Sequence, residues 1–346
     1  MSNVRHRKPP TTVTMHRRTL LLLPVAQATL AAEAPAPSSP FAGLEQTIAA
    51  DFSDVESVVV VRDNRLLFEY YKAGAGSDAP RDVQSVTKSV VSIAVGAAIG
   101  KGVLSSIDQS VPELVAKVAA LSERTAKTKL TFRHLLSMTA GFAPTGRVTR
   151  KQSDDPVFLL ERERAAEPGT QFFYDNHASN LLTSTLELAI REPLLKFTNE
   201  NLFAPLGIRT PEWEVGQNRH AYGASGLRLR TRDMALLGQL LLEQGSWRGT
   251  QLLPAAFVAE ATSPHSSGGP PSGMPYGYGW WVTPSTQGAQ TCFASGFGGQ
   301  FIWVHNPLRL VIAVTSEVSG RSNARGQAFT LIRNQLFSAA SARRPV

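Results

Sequence analysis

Ser85-Val86-Thr87-Lys88 closes an extended polar stretch and opens a run of small, apolar, helix-compatible residues from Ser89 to Ile99. On a helix the i, i+3 spacing sets the serine hydroxyl and the lysine amine on one face, one turn apart. A serine alcohol is a poor nucleophile until a base takes its proton, and a neutral, desolvated lysine can be that base. A chain of 346 residues contains such a spacing by chance as well. The reading therefore depends on two segments far downstream.

The first of these is Glu167-Pro168-Gly169-Thr170-Gln171-Phe172-Phe173-Tyr174-Asp175-Asn176. Pro168-Gly169 supplies a turn, Phe172 and Phe173 can anchor the loop in apolar packing, and Tyr174 stands just before a helical run. A lysine ammonium nearby is expected to lower the pKa of the Tyr174 phenol, which then shuttles a proton as phenol or phenolate. Asn176 offers an amide donor and acceptor to hold Lys88 or a substrate carbonyl. By itself Tyr-x-Asn reads more simply as a core tyrosine beside a helix-capping asparagine.

The second segment is Ala294-Ser295-Gly296-Phe297-Gly298-Gly299-Gln300, ending one strand and starting the next. Glycines let a backbone approach a ligand closely, and a strand edge presents an N–H. Acyl transfer needs two fixed donors for the tetrahedral oxyanion. The N–H groups of Ser85 and Phe297 are the candidates, with Ser295 and Gly296 supporting the substrate beside them. In isolation this segment would read as a glycine-rich hairpin.

Around these segments the chain is organised as strands, a long helical insertion, then strands and a terminal helix. Val55–Val61 is a β-branched run that returns through Asp63-Asn64 as Leu66–Tyr71, an antiparallel hairpin. Helical patterning covers Val86–Gly100, Thr131–Met138, Asn176–Ile190, Pro193–Phe203 and Thr231–Gln244. Thr231 followed by Asp233 reads as an N-cap with a carboxylate near the positive helix end. The Ser/Gly/Pro-rich residues 263–275 read as a surface loop. Strand signals resume at Gly279–Val282, Thr291–Ala294, Phe301–His305 and Leu310–Thr315, and an amphipathic helix spans about Asn323 to Phe337. The expected fold is α/β in the α+β sense. One antiparallel sheet, flanked by helices, is built from about 41–84 and 276–340, and a mainly helical region, about 85–275, is inserted beside it. The active site is expected at the seam.

These motifs together resemble the serine β-lactamase and penicillin-binding-protein superfamily, in its class C-like esterase branch. Ser-x-x-Lys at Ser85/Lys88, Tyr-x-Asn at Tyr174/Asn176 and a Lys-Thr-Gly-like element at Ala294-Ser295-Gly296 occur in that family's order. The resemblance covers about residues 45 to 338, including Arg133 to Gly141 and Gly223 to Met234. It implies an acyl-serine hydrolase in which Ser85 is the nucleophile, Lys88 and Tyr174 move its proton, and no cofactor or metal takes part. β-Lactamases and D,D-peptidases of the family carry Lys or His where this chain has Ala294, so the charge that would pair with a penicillin or peptide carboxylate is missing. The Ser-Gly-Phe-Gly-Gly-Gln form is similar to 6-aminohexanoate-dimer hydrolase-type and family VIII carboxylesterase-type sequences. Small esters or short amides are the expected substrates. A β-lactamase or D,D-carboxypeptidase is the alternative within enzymes, and a non-catalytic binding protein on the same fold is the alternative outside them. Glu167, in a turn, receives no role as a water-activating carboxylate.

Composition agrees with a globular domain, at 42% hydrophobic and 18% charged residues. The net charge of +8 first suggests nucleic acid. Residues 1–40, however, hold Arg5, Arg7, Lys8, Arg17 and Arg18 against Glu33 alone, and the remaining charge is spread without a basic run. No nucleic-acid partner is implied. Arg17-Arg18 precede the apolar stretch Thr19–Leu30 and a small-residue spacer, so residues 1–40 read as an export signal and linker ahead of a hydrolase domain at 41–340. The pair fits a twin-arginine signal whose consensus is only partly met, and the apolar run is too short for a stable membrane span. A periplasmic or secreted location is expected; the sequence leaves the oligomeric state open. The single cysteine, Cys292, lies in a strand-like run and reads as a small buried residue rather than a nucleophile. His134 and His177 read as packing or surface histidines rather than triad members, and the histidines are too scattered for a metal site.

Overall fold

The valines of the Val55 run decide the architecture, because they divide between two cores. In a computed structural model, which describes Met1 and residues 39–144, 153–209, 211–283, 291–323 and 325–342, they form strand β1, Val55–Arg62. Val59 and Val61 face one apolar cluster while Val58 and Val60 face the other. The alternation has period two, yet both faces are apolar because helices cover both sides of the sheet.

Residues Ser39–Val346 form one compact unit. Its sheet also contains β2 (Arg65–Tyr71), β3 (Ser266–Gly269), β4 (Met274–Tyr276), β5 (Trp281–Thr283), β6 (Thr291–Gly296), β7 (Gln300–His305) and β8 (Leu310–Ser316). The order across the sheet is β2-β1-β8-β7-β6-β5-β4-β3. All these pairings are antiparallel. The N-terminal hairpin β1–β2 therefore forms one edge of the sheet and pairs onto β8 from the chain's end, so the two parts of the chain share one sheet as the sequence layout led us to expect.

Four helices matter for the site. Helix α1, Leu44–Asp51, joins the C-terminal pieces Ala328–Leu331, Ile332–Leu336 and Phe337–Ser341 on one face of the sheet, where Ile48, Leu331, Ile332 and Leu336 are buried with Val58 and Val60. On the other face lie α2 (Val86–Gly100), α3 (Asn176–Ile190) and α4 (Thr231–Leu242). Helix α2 is buried from Val86 to Ala98, which its small apolar composition permits. A small second sheet of Arg81–Asp82, Leu227–Leu229 and Glu212–Trp213 ties the strand before α2 to the stretch before α4. Val83 N–H continues it, donating to the Leu227 carbonyl at 3.0 Å.

Four expectations need correction. Residues 263–275 are not merely a surface loop: they include β3 and the start of β4, a hairpin that pairs onto β5 and extends the sheet. Their Gly and Ser content hides them, since such residues are depleted in strands. Thr231 is the first residue of α4 rather than its cap. Arg230 takes the cap position, and its backbone N–H and guanidinium both donate to Asp233. The Thr231 hydroxyl instead hydrogen-bonds Ser57 under the sheet, at 2.5 Å. The Pro193–Phe203 helix changes winding at Asn199 to a π-helical Asn199–Phe203. The terminal helix begins at Ala328 instead of Asn323, where the Asn323 Oδ1 accepts from the Arg325 and Gly326 N–H groups, a local side-chain bond that competes with helical winding. The export signal expected over residues 1–40 lies, apart from Met1, Ser39 and Pro40, outside the described residues. Among the described residues no helix is long and apolar enough to cross a membrane.

Candidate active site

Ser85 sits immediately before α2, on a backbone turn set by Gln84, whose φ of 51° is left-handed. That conformation costs roughly 1 kcal/mol in a non-glycine residue. It is held by Asp82, whose carboxylate accepts from both the backbone N–H and the side-chain amide of Gln84, each at 2.9 Å. One turn into α2, Lys88 Nζ lies 3.1 Å from Ser85 Oγ. The expected face-sharing of the pair is what the helix delivers.

Lys88 is buried, with only 4% of its surface exposed. Its other two partners are neutral acceptors: Asn176 Oδ1 at 2.8 Å and the Ala224 carbonyl at 2.9 Å. Burial pulls its pKa down from the ordinary lysine value to about 7, against the weaker upward pull of the Asp175 charge. An amine in this setting is populated in its neutral form near neutral pH.

Both neutral acceptors are set by one helix. Asn176 is the first residue of α3, capped by Asp175, whose carboxylate accepts from His177 N–H at 2.8 Å. Asn180, one turn on, accepts from the N–H groups of Gly223 and Ala224 at 3.0 and 3.2 Å. A Cβ on Gly223 would lie 2.0 Å from the Ser179 carbonyl oxygen, so only glycine lets this loop rest on α3. Asn180 thus fixes the carbonyl that Lys88 uses. Neither Asn180 nor Ala224 was visible as a site residue in the sequence. The i, i+4 pairing of Asn176 with Asn180 on one helix face is the signal that could have found the first.

Tyr174 precedes α3 in a turn whose expected apolar anchor is Phe172 alone, since the Phe173 side chain is exposed. Thr170 N–H donates to the Glu167 carbonyl, Phe173 N–H to the Met138 carbonyl, and Phe172 packs edge-on against Tyr276 and Trp281. The Tyr174 ring stacks on Trp281 with centroids 5.6 Å apart, and the Ser85 side chain is near enough to its hydroxyl to pull the phenol's pKa down. Lys88 Nζ lies 4.9 Å from the ring centroid. The three groups therefore converge, but the expected direction of the phenol's pKa is overturned. Burial pushes Tyr174 up to about 12, and the nearby Ser85 side chain offsets this only in part. Full enclosure outweighs the neighbouring amine, which is itself only weakly held as a cation.

Asp175, between Tyr174 and Asn176, turns the other way and pairs with Arg162 at 2.7 Å, both side chains being buried. Arg162 is a further residue that sequence reasoning missed; its guanidinium also lies over the Phe142 ring.

The opposite wall is the end of β6. Gly296 packs on the turn before Ser85: a Cβ there would lie 2.4 Å from the Val83 carbonyl oxygen. This close approach brings Ser295, Gly296 and Phe297 to the same cleft as Ser85, Tyr174 and Asn176, a cleft of about 230 Å3. Neither the Ser85 nor the Phe297 N–H has an acceptor among the described residues. Ala294 is fully buried and brings no charge.

The other nucleophile readings find no geometry. Cys292 is buried and burial pushes its thiol up to about 12, as its strand position suggested. His134 Nδ1 accepts from Thr131 N–H, serving the start of a helix, and His177 lies 3.8 Å from Asp175.

This mixed fold, with helices on an antiparallel sheet, has its counterpart among known proteins. The beta-lactamase family model matches residues 50–337, and the chain belongs to that family. A candidate beta-lactamase from Bacteroides dorei superposes with a TM-score of 0.73 at 18% identity, covering 88% of this chain and 100% of that one. A candidate 6-aminohexanoate-dimer hydrolase from Bacillus anthracis gives 0.69 at 19% identity, over 86% and 81% of the two chains. EstCE1, a hydrolase with promiscuous acyltransferase activity, gives 0.67 at 17% identity, over 86% and 97%. At such identities the likeness is one of fold. A search of curated proteins finds no match.

Proposed function

We propose that this protein is a serine hydrolase that cleaves small esters or short amides through an acyl-serine intermediate. The observation that carries the reading is a buried lysine, 3.1 Å from a serine hydroxyl, whose other two partners can only accept hydrogen bonds. A neutral amine has two N–H donors and one lone pair. With the donors committed to Asn176 and Ala224, the lone pair faces Ser85.

In the proposed reaction Ser85 Oγ bonds to the substrate carbonyl carbon as its proton passes to Lys88 Nζ. The N–H groups of Ser85 and Phe297 receive the oxyanion, each such donor contributing typically about 3 kcal/mol of barrier lowering. Tyr174, a phenol throughout the neutral range given its upward shift, donates to the leaving oxygen or nitrogen as the acyl bond breaks. Lys88 restores the proton to Tyr174. A water then attacks the acyl-serine, giving its proton to the neutral Lys88, and Ser85 leaves as the alcohol by taking that proton from Lys88. Small substrates fit the size of the cleft and the absence of a cation at Ala294. A hydrolase with promiscuous acyltransferase activity and a D-stereospecific amidohydrolase among the structures of similar fold support the same class.

Replacing the nucleophile tests this. Ser85→Ala should lower kcat for p-nitrophenyl acetate by at least roughly 10⁴-fold, with an acetylated Ser85 trapped by acid quench in the parent protein alone. Retention of the parental rate would remove Ser85 from the chemistry.

A further inference from the structure

Beyond Ser85 the cleft is lined by the aromatics Trp281, Phe293, Phe301 and Phe329, the first three almost fully buried, and by Pro271-Ser272 of the β3–β4 hairpin. Arg325 joins the two. Its Nη2 donates to the Ser272 carbonyl at 2.9 Å, and its guanidinium lies over the Phe329 ring, 4.8 Å from the centroid. The backbone beneath it is fixed in turn, since Arg325 N–H donates to Asn323 Oδ1. A hairpin tip and the start of the terminal helix, distant in sequence, are thus tied across the mouth of the cleft by one residue.

Resting on the hydrolase reading above, we propose that Arg325 is a specificity-determining latch that sets how long an apolar arm the site accepts. The substrates are esters whose acyl or alcohol part is a compact apolar or aryl group, packed against Phe297 and Phe329, lining aromatics whose rings keep exposed surface. An aromatic face offers area without the rotamer entropy of a long chain, and a flat ring pairs with it by offset stacking. An extended alkyl chain would have to pass between Ser272 and Phe329, where the guanidinium lies. Arginine suits this task better than lysine, because its planar fork stacks on a ring while donating in its own plane.

The test compares eight-carbon with two-carbon substrates in two series, p-nitrophenyl acyl esters and alkyl acetates, for the parent and Arg325→Ala. The parent should prefer the short member and p-nitrophenyl benzoate over the octanoate. In Arg325→Ala the ratio of kcat/KM for the eight-carbon to the two-carbon substrate should rise at least about tenfold in one series, the gain expected from burying about two further methylenes. The series that responds identifies whether the acyl or the alcohol arm lies in the cleft. Because each ratio is read on one preparation, loss of folded protein cancels. Unchanged ratios in both series would overturn the latch. A calorimetric titration separates this from failure of the catalytic reading: Ser85→Ala with Arg325→Ala should bind octyl acetate or ethyl octanoate at least about tenfold more tightly than Ser85→Ala alone. Equal affinities would overturn the latch even if neither protein hydrolyses an ester.

Discussion

Two buried basic side chains flank the short segment Tyr174–Asn176, and the chain treats them in opposite ways. Arg162 meets a carboxylate, Asp175, at 2.7 Å. Lys88 meets the amide of the residue next to Asp175, Asn176, at 2.8 Å. A buried charge with a counter-ion is a structural element; remove the partner and a large penalty appears. A buried amine given only neutral acceptors sheds its proton instead, which turns the cost of burial into basicity at neutral pH. The contrast rests on a single atom type, carboxylate oxygen on one side and amide oxygen on the other.

The first way to break the contrast is to delete the unpaired member. Lys88→Met should lower kcat by about 10²–10⁴-fold, measured with p-nitrophenyl acetate across pH 6 to 10, without a rescue at high pH. Activity close to parental would show that the amine is not the base. Deleting the paired member should act on stability instead. Arg162→Met leaves Asp175 charged and buried without its partner and should cost about 3–5 kcal/mol in urea unfolding. A cost below about 1 kcal/mol would mean that the pair is no more structural than a surface bridge.

A third variant converts one side into the other. Asn176→Asp gives Lys88 a counter-ion at the same distance, and an opposite charge so close raises a lysine's pKa by about one to three units. The parent's kcat/KM should rise with pH through about 7, because the base works only when neutral and its pKa lies there. In Asn176→Asp that rising limb should move to higher pH by the same one to three units, with recovery toward parental rates in alkali. A limb that stays at 7 would show that something other than Lys88 titrates there. The descending limb belongs to Tyr174, pushed up to about 12, and should lie above the usual assay range.

Much of this was legible before any coordinates. Helices Val86–Gly100 and Asn176–Ile190 have the bounds their apolar runs suggest, and the Ser85–Lys88 spacing needs nothing beyond helix geometry. What stayed hidden is of three kinds. The Ala224 acceptor is a backbone carbonyl, and its placement depends on Asn180 reaching a loop more than forty residues away. The strands at Arg81–Asp82, Glu212–Trp213 and Ser266–Gly269 are too short or too glycine-rich to show a period. The direction of the Tyr174 shift is a property of enclosure, set by Trp281 and Tyr276 from the far end of the chain. Local spacing can propose that a phenol and an amine meet; which of them holds the proton is decided by how dry their meeting place is.

The protonation state of Lys88 is therefore the quantity to observe directly. Following the side-chain 15N resonance of Lys88 through a pH titration, assigned by its loss in Lys88→Met, should show a midpoint near 7. A midpoint near the ordinary lysine value of 10.5 would mean that Lys88 stays an ammonium beside Ser85, and that it cannot be the base on which this account depends.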